Sequence, residues 1–547
     1  MWAMTAAPLD PNLGWLDALR AIGAGWLARV RRPSSGGQAT AAAAPRGFGG
    51  AALACVLIIA ATLRLLVTFL QPNIIWPDEV FQAVEPAHRL VYGNGIVAWE
   101  QVVGMRSWLF PGVIAAVLWL GRMFGAAGIA PVQLFMVGCS LIPVAVAYRW
   151  GERLDGVRGG AIVGGVVALW VDLIYFAPHP LSDVIAADVL MAGLYAALPL
   201  TTTAGPRRLA IAGALFALTL VLRIQLGPAL LVAAVFACGR RPRAWFAIVA
   251  GGAVVLAASG CLDWATLGAP FRPIWLNIWL NTAEGISDYA AAQPLAYYSA
   301  VPMQLWWPAS IVLTLQLFIG RRRFPGLFWT VVATFATLTI IPHKEWRYFF
   351  PALAPVITLC GIVTIDAVRT AEKYLGRFSA PAATATVVAL GAWASVSAFV
   401  ASGPRYAPYW TNVRETIDAF ALAAHRPGLC GVGLVGLSWD FTPGSAALPP
   451  GVPIYVSQAA NVRREAPGYN VAITDRAAAL PADLYRRVAC FDGSVDLTGR
   501  PRRTACVWVR GGGCAASPDS LPAPNWPPFF LDRQGRPRLD RIRAYSL

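Results

Sequence analysis

The chain has 547 residues, of which 57% are hydrophobic and only 13% are charged, about half the charged fraction of a typical soluble protein. Its mean hydropathy is +0.56, and the apolar residues come in long blocks, which excludes soluble globular, fibrous and disordered proteins. The net charge is +16, from 44 basic against 28 acidic residues. Because the arginines cluster in short loops between apolar blocks, they are typical of cytoplasmic loops, and no nucleic-acid partner is expected.

Residues 1–50 lack the short basic start and apolar core of a cleavable signal peptide. Apolar residues recur at helical spacing from Trp15 to Leu27, and Arg29 and Arg31 follow them. This pattern predicts a cytoplasmic amphipathic helix that lies on the membrane surface, followed by a linker rich in small residues.

Twelve apolar blocks follow, most of them near the ~20 residues that a helix needs to span a bilayer. Their ranges are 51–71, 108–127, 129–148, 159–178, 183–202, 209–221, 225–238, 244–262, 299–319, 325–342, 348–367 and 381–402. We therefore predict that residues 51–402 form an all-α, polytopic transmembrane domain.

The arginine-rich loops predict the topology. If all twelve blocks crossed from a cytoplasmic N-terminus, these loops would lie outside, whereas they lie inside if block 108–127 only dips into the outer leaflet. The sequence thus predicts about eleven transmembrane helices plus one re-entrant or juxtamembrane segment. The loops in question are 149–158, 203–208, 239–243, 320–323 and 366–377.

The tail, residues 403–547, is then predicted to lie on the periplasmic or extracytoplasmic side of the plasma membrane. Short β-like runs such as 430–436 and 469–474 alternate with helical or loop stretches, which predicts a small soluble α/β domain. Four cysteines here favour two disulfides over four unrelated thiols. A glycine-rich hairpin favours the pairing Cys506–Cys514 with Cys430–Cys490.

The outer loops 72–107 and 263–298 and the turn 343–347 carry most of the ionisable groups of this domain, and such groups near a bilayer are usually functional. The alternative is that these ionisable groups belong to an ordinary solvated loop surface without a functional role. Asp78 and Glu79 follow the first block, where a carboxylate can act as the general base for a hydroxyl nucleophile.

The rest of loop 72–107 offers groups for a sugar. Glu85 and His88 share a helix face, Trp99 offers a flat surface for a sugar ring, and Glu100 can accept hydrogen bonds from hydroxyls. The alternative for Trp99 is an aromatic of the membrane interface. With Arg106, which ends this loop, these are the predicted substrate-binding residues.

Four ordered motifs carry a family resemblance. They read WPDEVFQAVEPAH, GNGIVAWE, MRSWLFPG and PHKEWRYFFPALAP. Together they resemble glycosyltransferase family 22, the polyprenyl-phosphate-mannose-dependent mannosyltransferases of GPI-anchor and N-glycan assembly, over roughly 51–402. The departures are Trp76 for the family's opening His, Ala98 for a Thr, and Gln101 where Trp is common. They bear on the acceptor, since Asp78 and Glu79 are intact.

The resemblance implies a GT-C fold and inverting transfer of a sugar, by analogy mannose, from a polyprenyl-phosphate donor to a glycan or glycolipid acceptor. Asp78 is then the base, and Glu79 orients the acceptor or assists. The rival hypotheses are a transporter or flippase for lipid-linked sugars, and an envelope assembly protein that binds without chemistry.

A phosphate leaving group needs cationic partners. The predicted donor-phosphate residues are Arg223, His343, Lys344 and Arg347, with Glu345 holding the basic pair in place, and the alternative is snorkelling to lipid headgroups. The sequence has no Asp-x-Asp and no His/Cys cluster, so no cofactor is expected. Asp78 and Glu79 could still hold a divalent ion with substrate oxygens.

Overall fold

The computed structural model describes residues 48–126, 128–200, 202–286, 292–375, 383–475, 479–493, 504–515 and 526–545, apart from positions 533 and 535. Residues 1–47, to which the predicted amphipathic helix belongs, lie outside the described residues. The described chain forms a helical part followed by a five-stranded sheet, which confirms a helical protein with a small α/β domain.

The elements are numbered in chain order. The α-helices are α1 (Phe48–Leu70), α2 (Glu85–Tyr92), α3 (Trp99–Val102), α4 (Leu109–Met123), α5 (Ala130–Cys139), α6 (Leu141–Leu169), α7 (Val171–Tyr175), α8 (Ser182–Ala197), α9 (Pro206–Leu222), α10 (Gly227–Cys238), α11 (Pro242–Leu267), α12 (Arg272–Thr282), α13 (Tyr297–Leu305), α14 (Ala309–Gly320), α15 (Pro325–Ile340), α16 (Phe350–Leu375), α17 (Thr384–Ser402), α18 (Ala407–Trp410), α19 (Arg414–Ala424), α20 (Val462–Glu465) and α21 (Leu539–Tyr545). The strands are β1 (Val432–Val435), β2 (Ile454–Ser457), β3 (Val471–Asp475), β4 (Arg486–Phe491) and β5 (Ala505–Val509). Each predicted apolar block is helical over most of its described length.

Within the described residues, five helical stretches are long and apolar enough to cross a membrane. They are Gly49–Leu70, Ala130–Leu169, Pro242–Leu267, Trp346–Lys373 and Thr384–Ser402. Large apolar side chains point outward from them, among them Ile58, Phe246 and Val387, as expected of a surface in contact with lipid. The chain is thus a multi-pass membrane protein, and the total of eleven spans stays a prediction.

Helix α6 turns back on itself at Asp155 and Gly156, whose backbone angles are not helical. The two arms pack closely because glycines face each other. A Cβ atom on Gly151 would lie 2.1 Å from the carbonyl oxygen of Gly159. Small residues permit such close approach of membrane helices. The predicted loop 149–158 is therefore the tip of a helical hairpin.

Four of the five arginine-rich loops lie at one end of the helical part, here called the arginine end. Ion pairs join loop 149–158 and the loop after α14 to the last turns of α16. These pairs are Arg158–Glu372, Arg369–Asp155 and Arg323–Asp366, and a further pair, Arg158–Asp155, lies within loop 149–158. Arg208, in the first turn of α9, also reaches this end, where it lies over the ring of Tyr195. The structure therefore groups loops that the charge pattern places together.

The opposite end carries the sheet and is here called the sheet end. Helix α4, the block predicted to dip into the membrane without crossing, both begins and ends here. Its first turn lines the cavity described below, and Arg122 in its last turn donates to the Val91 carbonyl. Gly128, just beyond α4, faces the Ala446 carbonyl of the sheet domain. The two ends of α4 thus lie on one side of the helical part.

The sheet domain has the strand order β2-β1-β3-β5-β4. Strands β1, β2 and β3 are parallel, and β5 runs antiparallel to both β3 and β4. Its apolar core is continuous with the first loop of the helical part, because Val80, Phe81 and Ile96 pack in the same cluster as Phe420 and Leu434. The sheet domain therefore holds the loop that carries Asp78.

Two disulfides form in this domain, as predicted, but the predicted pairing is wrong. Cys490 pairs with Cys506 because the two residues are cross-strand neighbours on β4 and β5, with Cα atoms 4.0 Å apart. Cys430, before β1, pairs with Cys514, after β5, at a Cα separation of 5.8 Å. The glycine-rich hairpin argument fails because it considered neighbours in sequence rather than neighbours in the sheet.

Candidate active site

A cavity of about 610 Å³ opens at the sheet end. Its walls come from the 78–111 segment, the start of α8, the junction of α9 and α10, helix α12 and the 338–348 segment. Pro527 and Pro528, from beyond the sheet domain, complete the wall. The cavity thus collects residues that lie far apart in the chain, including most of those predicted from the motifs.

Asp78 lines this cavity at the start of a π-helical turn, Glu79–Val84. Its Oδ2 atom accepts a hydrogen bond from Nη2 of Arg347. None of the described residues donates a hydrogen bond to Oδ1, and the side chain is 28% exposed. Asp78 therefore presents a carboxylate oxygen that can accept a proton from a group in the cavity.

Glu79 points away from the cavity and is nearly fully buried. Its Oε1 atom accepts the backbone N–H groups of Ile75 and Trp76, and its Oε2 atom lies 2.6 Å from Nδ1 of His179. Both oxygens are thus engaged in shaping the turn before Asp78. The structure places Glu79 in a supporting position behind Asp78, and the two carboxylates do not converge on one point.

Two arginines and a buried aspartate form the cationic side of the cavity. Asp183, at the start of α8, is 1% exposed and accepts a hydrogen bond from Arg223. Nη1 of Arg347 lies 3.8 Å from the same carboxylate. Both guanidinium groups lie over the ring of Tyr348, at 5.3 and 5.0 Å from its centroid. Asp183 and Tyr348 therefore fix the spacing of the two arginines.

The two arginines differ in their remaining donors. Arg347 directs Nε to Glu345, Nη2 to Asp78 and Nη1 towards Asp183. Arg223 makes its hydrogen bond through Nη2, while its buried Nε has no partner among the described residues. Because Arg223 also lines the cavity, it keeps N–H donors for a bound anion, whereas Arg347 mainly organises carboxylates.

Glu345, which was predicted to hold the basic pair in place, contacts Arg347 and His343 but not Lys344 in the turn before α16. It accepts hydrogen bonds from Nε of Arg347 and Nε1 of Trp76, and its Oε1 atom lies 2.8 Å from Nε2 of His343. Burial opposes ionisation of this carboxyl, but the charge of Arg347 and the contact with His343 outweigh burial and lower its pKa to about 2. Trp76, which replaces the family's His, thus supplies an N–H donor at this site.

Lys344 does not line the cavity, although it was predicted to bind the donor phosphate. It is buried, and its Nζ atom donates to the backbone carbonyls of Gln293 at 3.1 Å and Pro342 at 3.4 Å. The turn directs alternate side chains to opposite sides, so that His343 and Glu345 face the cavity and Lys344 faces the loop before α13.

Glu85 and His88, which were predicted to bind substrate, do not line this cavity. Glu85 accepts hydrogen bonds from the backbone N–H groups of Ile96 and Ser445, so it joins loop 72–107 to the sheet domain. Burial raises the pKa of Glu85 to about 7, although these hydrogen bonds oppose the rise. His88 contacts the Asn94 carbonyl at 2.7 Å, and burial lowers its pKa.

The contact of Glu85 explains a glycine in the sheet domain. Gly444 has a φ angle of +69°, and a Cβ atom there would lie 2.2 Å from Oε1 of Glu85. A larger residue would meet both backbone strain and a clash. The pair Glu85–Gly444 therefore acts in the joint between the two domains rather than in substrate contact.

A second wall of the cavity, away from Arg223 and Arg347, is aromatic and polar. It contains Trp99, Glu100 and Arg106, which were predicted to bind substrate, and Gln82 donates to Oε1 of Glu100 at 2.9 Å. Burial raises the pKa of Glu100, the charge of Arg106 opposes the rise, and Asp78 adds to it. The carboxyl of Glu100 and the amide of Gln82 can form hydrogen bonds with hydroxyl groups of a ligand that lies beside the ring of Trp99.

Sequence reasoning missed several of the residues that line or support the cavity. Asn277 and Asn281 lie one turn apart on α12 and add amide groups to the polar wall. The position of Asp183 could have been predicted, since an acidic residue at the start of an apolar block indicates a site at the membrane surface. The asparagines and Tyr348 had none, because only the fold brings α12 and the 338–348 segment to the same cavity.

Among the residues described, no group of three or more His, Cys, Asp or Glu side chains could hold a metal ion. Asp78 meets Arg347, and Glu79 meets backbone amides and His179, so the Asp-Glu pair does not form a two-carboxylate site in this conformation.

Known structures share this fold. The crystal structures of ArnT from Cupriavidus metallidurans, bound to undecaprenyl phosphate and in the apo state, superimpose with TM-scores of 0.53 and 0.52. The first match covers 85% of this chain and 98% of the ArnT chain at 13% sequence identity. At this identity the likeness concerns architecture alone, and it confirms the expected GT-C type of fold.

The relatives found by sequence give more specific information than the relatives found by fold. The chain is 27% identical to GPI mannosyltransferase 3 of Yarrowia lipolytica over 330 residues, which is 57% of this chain and 62% of that protein. It is 22% identical to GPI alpha-1,2-mannosyltransferase 3 of Mus musculus over 329 residues, or 56% and 58%. The chain thus spans about three fifths of the length of these relatives.

The profile of one protein family matches residues 55–411, a stretch that contains all four motifs and nearly every cavity wall. This match extends over more than half of the sequence. The chain belongs to the Alg9-like mannosyltransferase family.

Proposed function

We propose that the protein is an inverting membrane α-mannosyltransferase that transfers a sugar from a polyprenyl-phosphate donor to a hydroxyl of a glycan or glycolipid acceptor. The observation that carries this proposal is the position of Asp78. Its carboxylate lies in one cavity between a cationic wall and a polar aromatic wall. A base between a leaving-group site and an acceptor site is what displacement at an anomeric carbon requires.

Asp78 is the proposed general base. The acceptor hydroxyl attacks the anomeric carbon, the bond from that carbon to the phosphate oxygen breaks, and the hydroxyl proton passes to Oδ1 of Asp78. Arg347 positions the carboxylate through Oδ2. Glu79 supports the same turn through Ile75, Trp76 and His179, so its role is positioning rather than proton transfer.

Arg223 is the proposed principal ligand of the donor phosphate, with His343 beside it. Arg223 lines the cavity and uses only Nη2 in a described hydrogen bond, so its Nη1 atom can donate to phosphate, and such charge-assisted hydrogen bonds are strong. Arg347 contributes its charge but is held by three carboxylates. Lys344 acts indirectly, because its ammonium group holds the loop before α13.

The remaining cavity wall suits a polyprenyl chain. Leu222 and Ile224 flank Arg223, and Leu338 and Ile341 line the same region. A phosphate at Arg223 would therefore have an apolar surface beside it for the lipid. A protein of this fold was crystallised with undecaprenyl phosphate, which supports a lipid-linked donor here.

The acceptor is proposed to lie between the wall formed by Trp99, Glu100 and Gln82 and the wall of α12 that carries Asn277 and Asn281. Amide and carboxyl groups can bind several hydroxyls, and an aromatic face can cover the apolar side of a sugar ring. The named relatives are mannosyltransferases of GPI synthesis, which supports a mannose-containing acceptor and mannose as the transferred sugar.

The site is proposed to face the periplasmic or extracytoplasmic side of the plasma membrane, with the arginine end in the cytoplasm. Eleven crossings with α4 outside the set would place both ends of α4 and the sheet domain on the same side. The two disulfides of the sheet domain support an oxidising compartment.

A transporter or flippase is not favoured. A transporter would place its binding charges near the bilayer midplane, often in paired repeats. Here the cavity lies at one end of the helices, and the chain belongs to an enzyme family. An assembly protein without chemistry is also disfavoured, because Asp78 keeps an oxygen without a described partner.

The test is sugar transfer by the purified full chain in nanodiscs. We expect transfer from polyprenyl-phosphate mannose to α-linked oligomannosides, with α-configured product, no transfer from GDP-mannose, and activity that persists in EDTA. Transfer from GDP-mannose alone would contradict the donor assignment. Movement of intact donor across a proteoliposome membrane, with no new glycosidic bond, would favour the flippase instead.

A further inference from the structure

Residues 526–545, here called the strap, lie outside the stretch that matches the family profile, yet they contact the cavity. Pro527 and Pro528 are part of the cavity wall. The strap continues through a 3-10 turn, Pro528–Phe530, into α21. It thus adds to the family's cavity a wall that the matched region does not supply.

The strap packs against two cavity walls at once. A compact apolar cluster contains Phe530, which is fully buried, together with Met105, which follows the Glu100 segment and lines the cavity, and Leu276 and Leu280 on α12. Trp99 belongs to the same cluster, with its ring centroid 5.7 Å from that of Phe530. Phe530 of the strap therefore contacts Trp99 and belongs to an apolar cluster that includes residues of both walls.

Polar contacts fix the strap in the same position. Arg272, at the start of α12, donates to the carbonyls of Tyr545 at 2.6 Å and Val103 at 3.3 Å. The hydroxyl of Tyr545 donates to Glu284 at 2.8 Å, just after α12. The strap, α12 and the 99–105 segment thus form one unit.

The fronts of these walls carry the groups that suit a carbohydrate. Asn277 and Asn281 face the cavity from α12, while Trp99 and Glu100 face it from the other wall. The distance between these two sets depends on what fills the space behind them. The arginine wall, in contrast, is built from α8, the α9–α10 junction and the 343–348 turn, and the strap cluster includes none of these residues.

We infer that the strap determines acceptor specificity. Phe530 sets the orientation of Trp99 and the separation of the two walls, and Pro527 and Pro528 limit the length of glycan that fits between them. Phe530 is thus a positioning residue, and the ligand class is an oligosaccharide. The inference rests on the proposed function, because it takes this cavity as the acceptor site.

The test separates acceptor from donor kinetics in the full-length protein. Phe530→Ala and the milder Phe530→Leu are compared with Leu539→Ala, a strap residue that is 61% exposed. We expect the acceptor KM to rise about two- to tenfold in the Phe530 variants, the range that aromatic pair energies represent. The relative rates with mannobiose and mannotriose should shift, while donor KM and the Leu539→Ala variant stay at wild-type values.

Unchanged acceptor KM and unchanged acceptor preference in both Phe530 variants would overturn the inference. So would equal losses for donor and acceptor, since these would indicate a general role in folding. If the wild-type protein transferred no sugar, the proposed function would fail. Binding of α-linked mannobiose by saturation-transfer NMR then decides the strap's role: weaker binding in Phe530→Leu supports it, and unchanged or absent binding rejects it.

Discussion

The two ends of the helical part carry charge networks of the same residue types in different surroundings. At the arginine end, Arg158 and Arg369 pair with Asp155 and Glu372, and the arginine side chains are 35% and 41% exposed. At the sheet end, Arg347 and Asp183 are 3% and 1% exposed beside a cavity. Exposed pairs contribute little to stability, whereas buried charges are costly unless each is paired. The buried network at the sheet end, which costs more free energy to form, is the one that lies beside the candidate active site.

The largest expected effect separates the two ends by activity. Asp78→Asn keeps the shape of the side chain and removes its basicity, so transfer should fall about 10²–10⁴-fold while donor lipid still binds. The matched control is Asp155→Asn at the arginine end, which should leave the transfer rate nearly unchanged. Initial rates and donor binding are measured on purified protein. Near-normal transfer by Asp78→Asn would refute its role as base and direct attention to Glu79.

The second prediction separates the ends by stability. Arg347→Met leaves Asp78, Asp183 and Glu345 without their shared partner, so it should destabilise the protein by about 3–5 kcal/mol. Arg369→Met removes a partly exposed pair and should cost about 0–1 kcal/mol. Thermal unfolding of both variants in one detergent measures the difference. Equal losses would show that burial does not distinguish the networks.

The third prediction concerns pH at the joint between the domains. Because burial raises the pKa of Glu85 from 4.5 to about 7, its folded form binds a proton more tightly than its unfolded form. Its contribution to stability is therefore full below about pH 4.5 and decreases as pH rises to about 7, by about 3 kcal/mol in all.

Glu85→Gln tests this sign. The unfolding midpoint of the wild-type protein should fall between pH 5 and pH 8 by more than that of the variant. The reverse slope would mean that the hydrogen bonds from Ile96 and Ser445 stabilise the charged carboxylate more than burial disfavours it. Glu345 provides a contrast, since its pKa is lowered to about 2 and it stays ionised across this range.

The smallest predicted effect separates two cations of the sheet end. Arg223→Gln removes donors that face the cavity and should weaken donor binding by about 1.5–3 kcal/mol, the usual value of a hydrogen bond to a charged group. Lys344→Gln changes a side chain that binds backbone carbonyls, so donor affinity should change less. Titration of both variants with polyprenyl phosphate measures this. A larger loss for Lys344→Gln would restore the phosphate role that the motif suggested.

Features of the sequence that depend on local pattern predicted the structure well. Apolar block length predicted the helices, arginine placement predicted which loops group together, and the acid at Asp78 reached the cavity. Family motifs also placed Trp99 and Arg347 in that cavity. In each case the determining physics, burial of apolar side chains or the charge of a loop, acts within about one element of the chain.

Features that depend on contacts between distant segments could not be predicted in this way. The motif containing Lys344 gives no sign that its side chain turns to Gln293, and a face shared by Glu85 and His88 does not reveal that Ser445 meets Glu85. The cysteine pairing failed for the same reason, since β4 and β5 become neighbours only in the sheet.

The most direct test of the account is a structure of the full-length protein with polyprenyl phosphate bound. We expect the phosphate at the sheet end, within hydrogen-bond reach of Arg223 and close to His343, with the lipid chain along Leu222 and Leu338. Asp78 should keep one carboxylate oxygen towards the empty acceptor side of the cavity. A phosphate bound instead among the arginines of the arginine end would contradict the account.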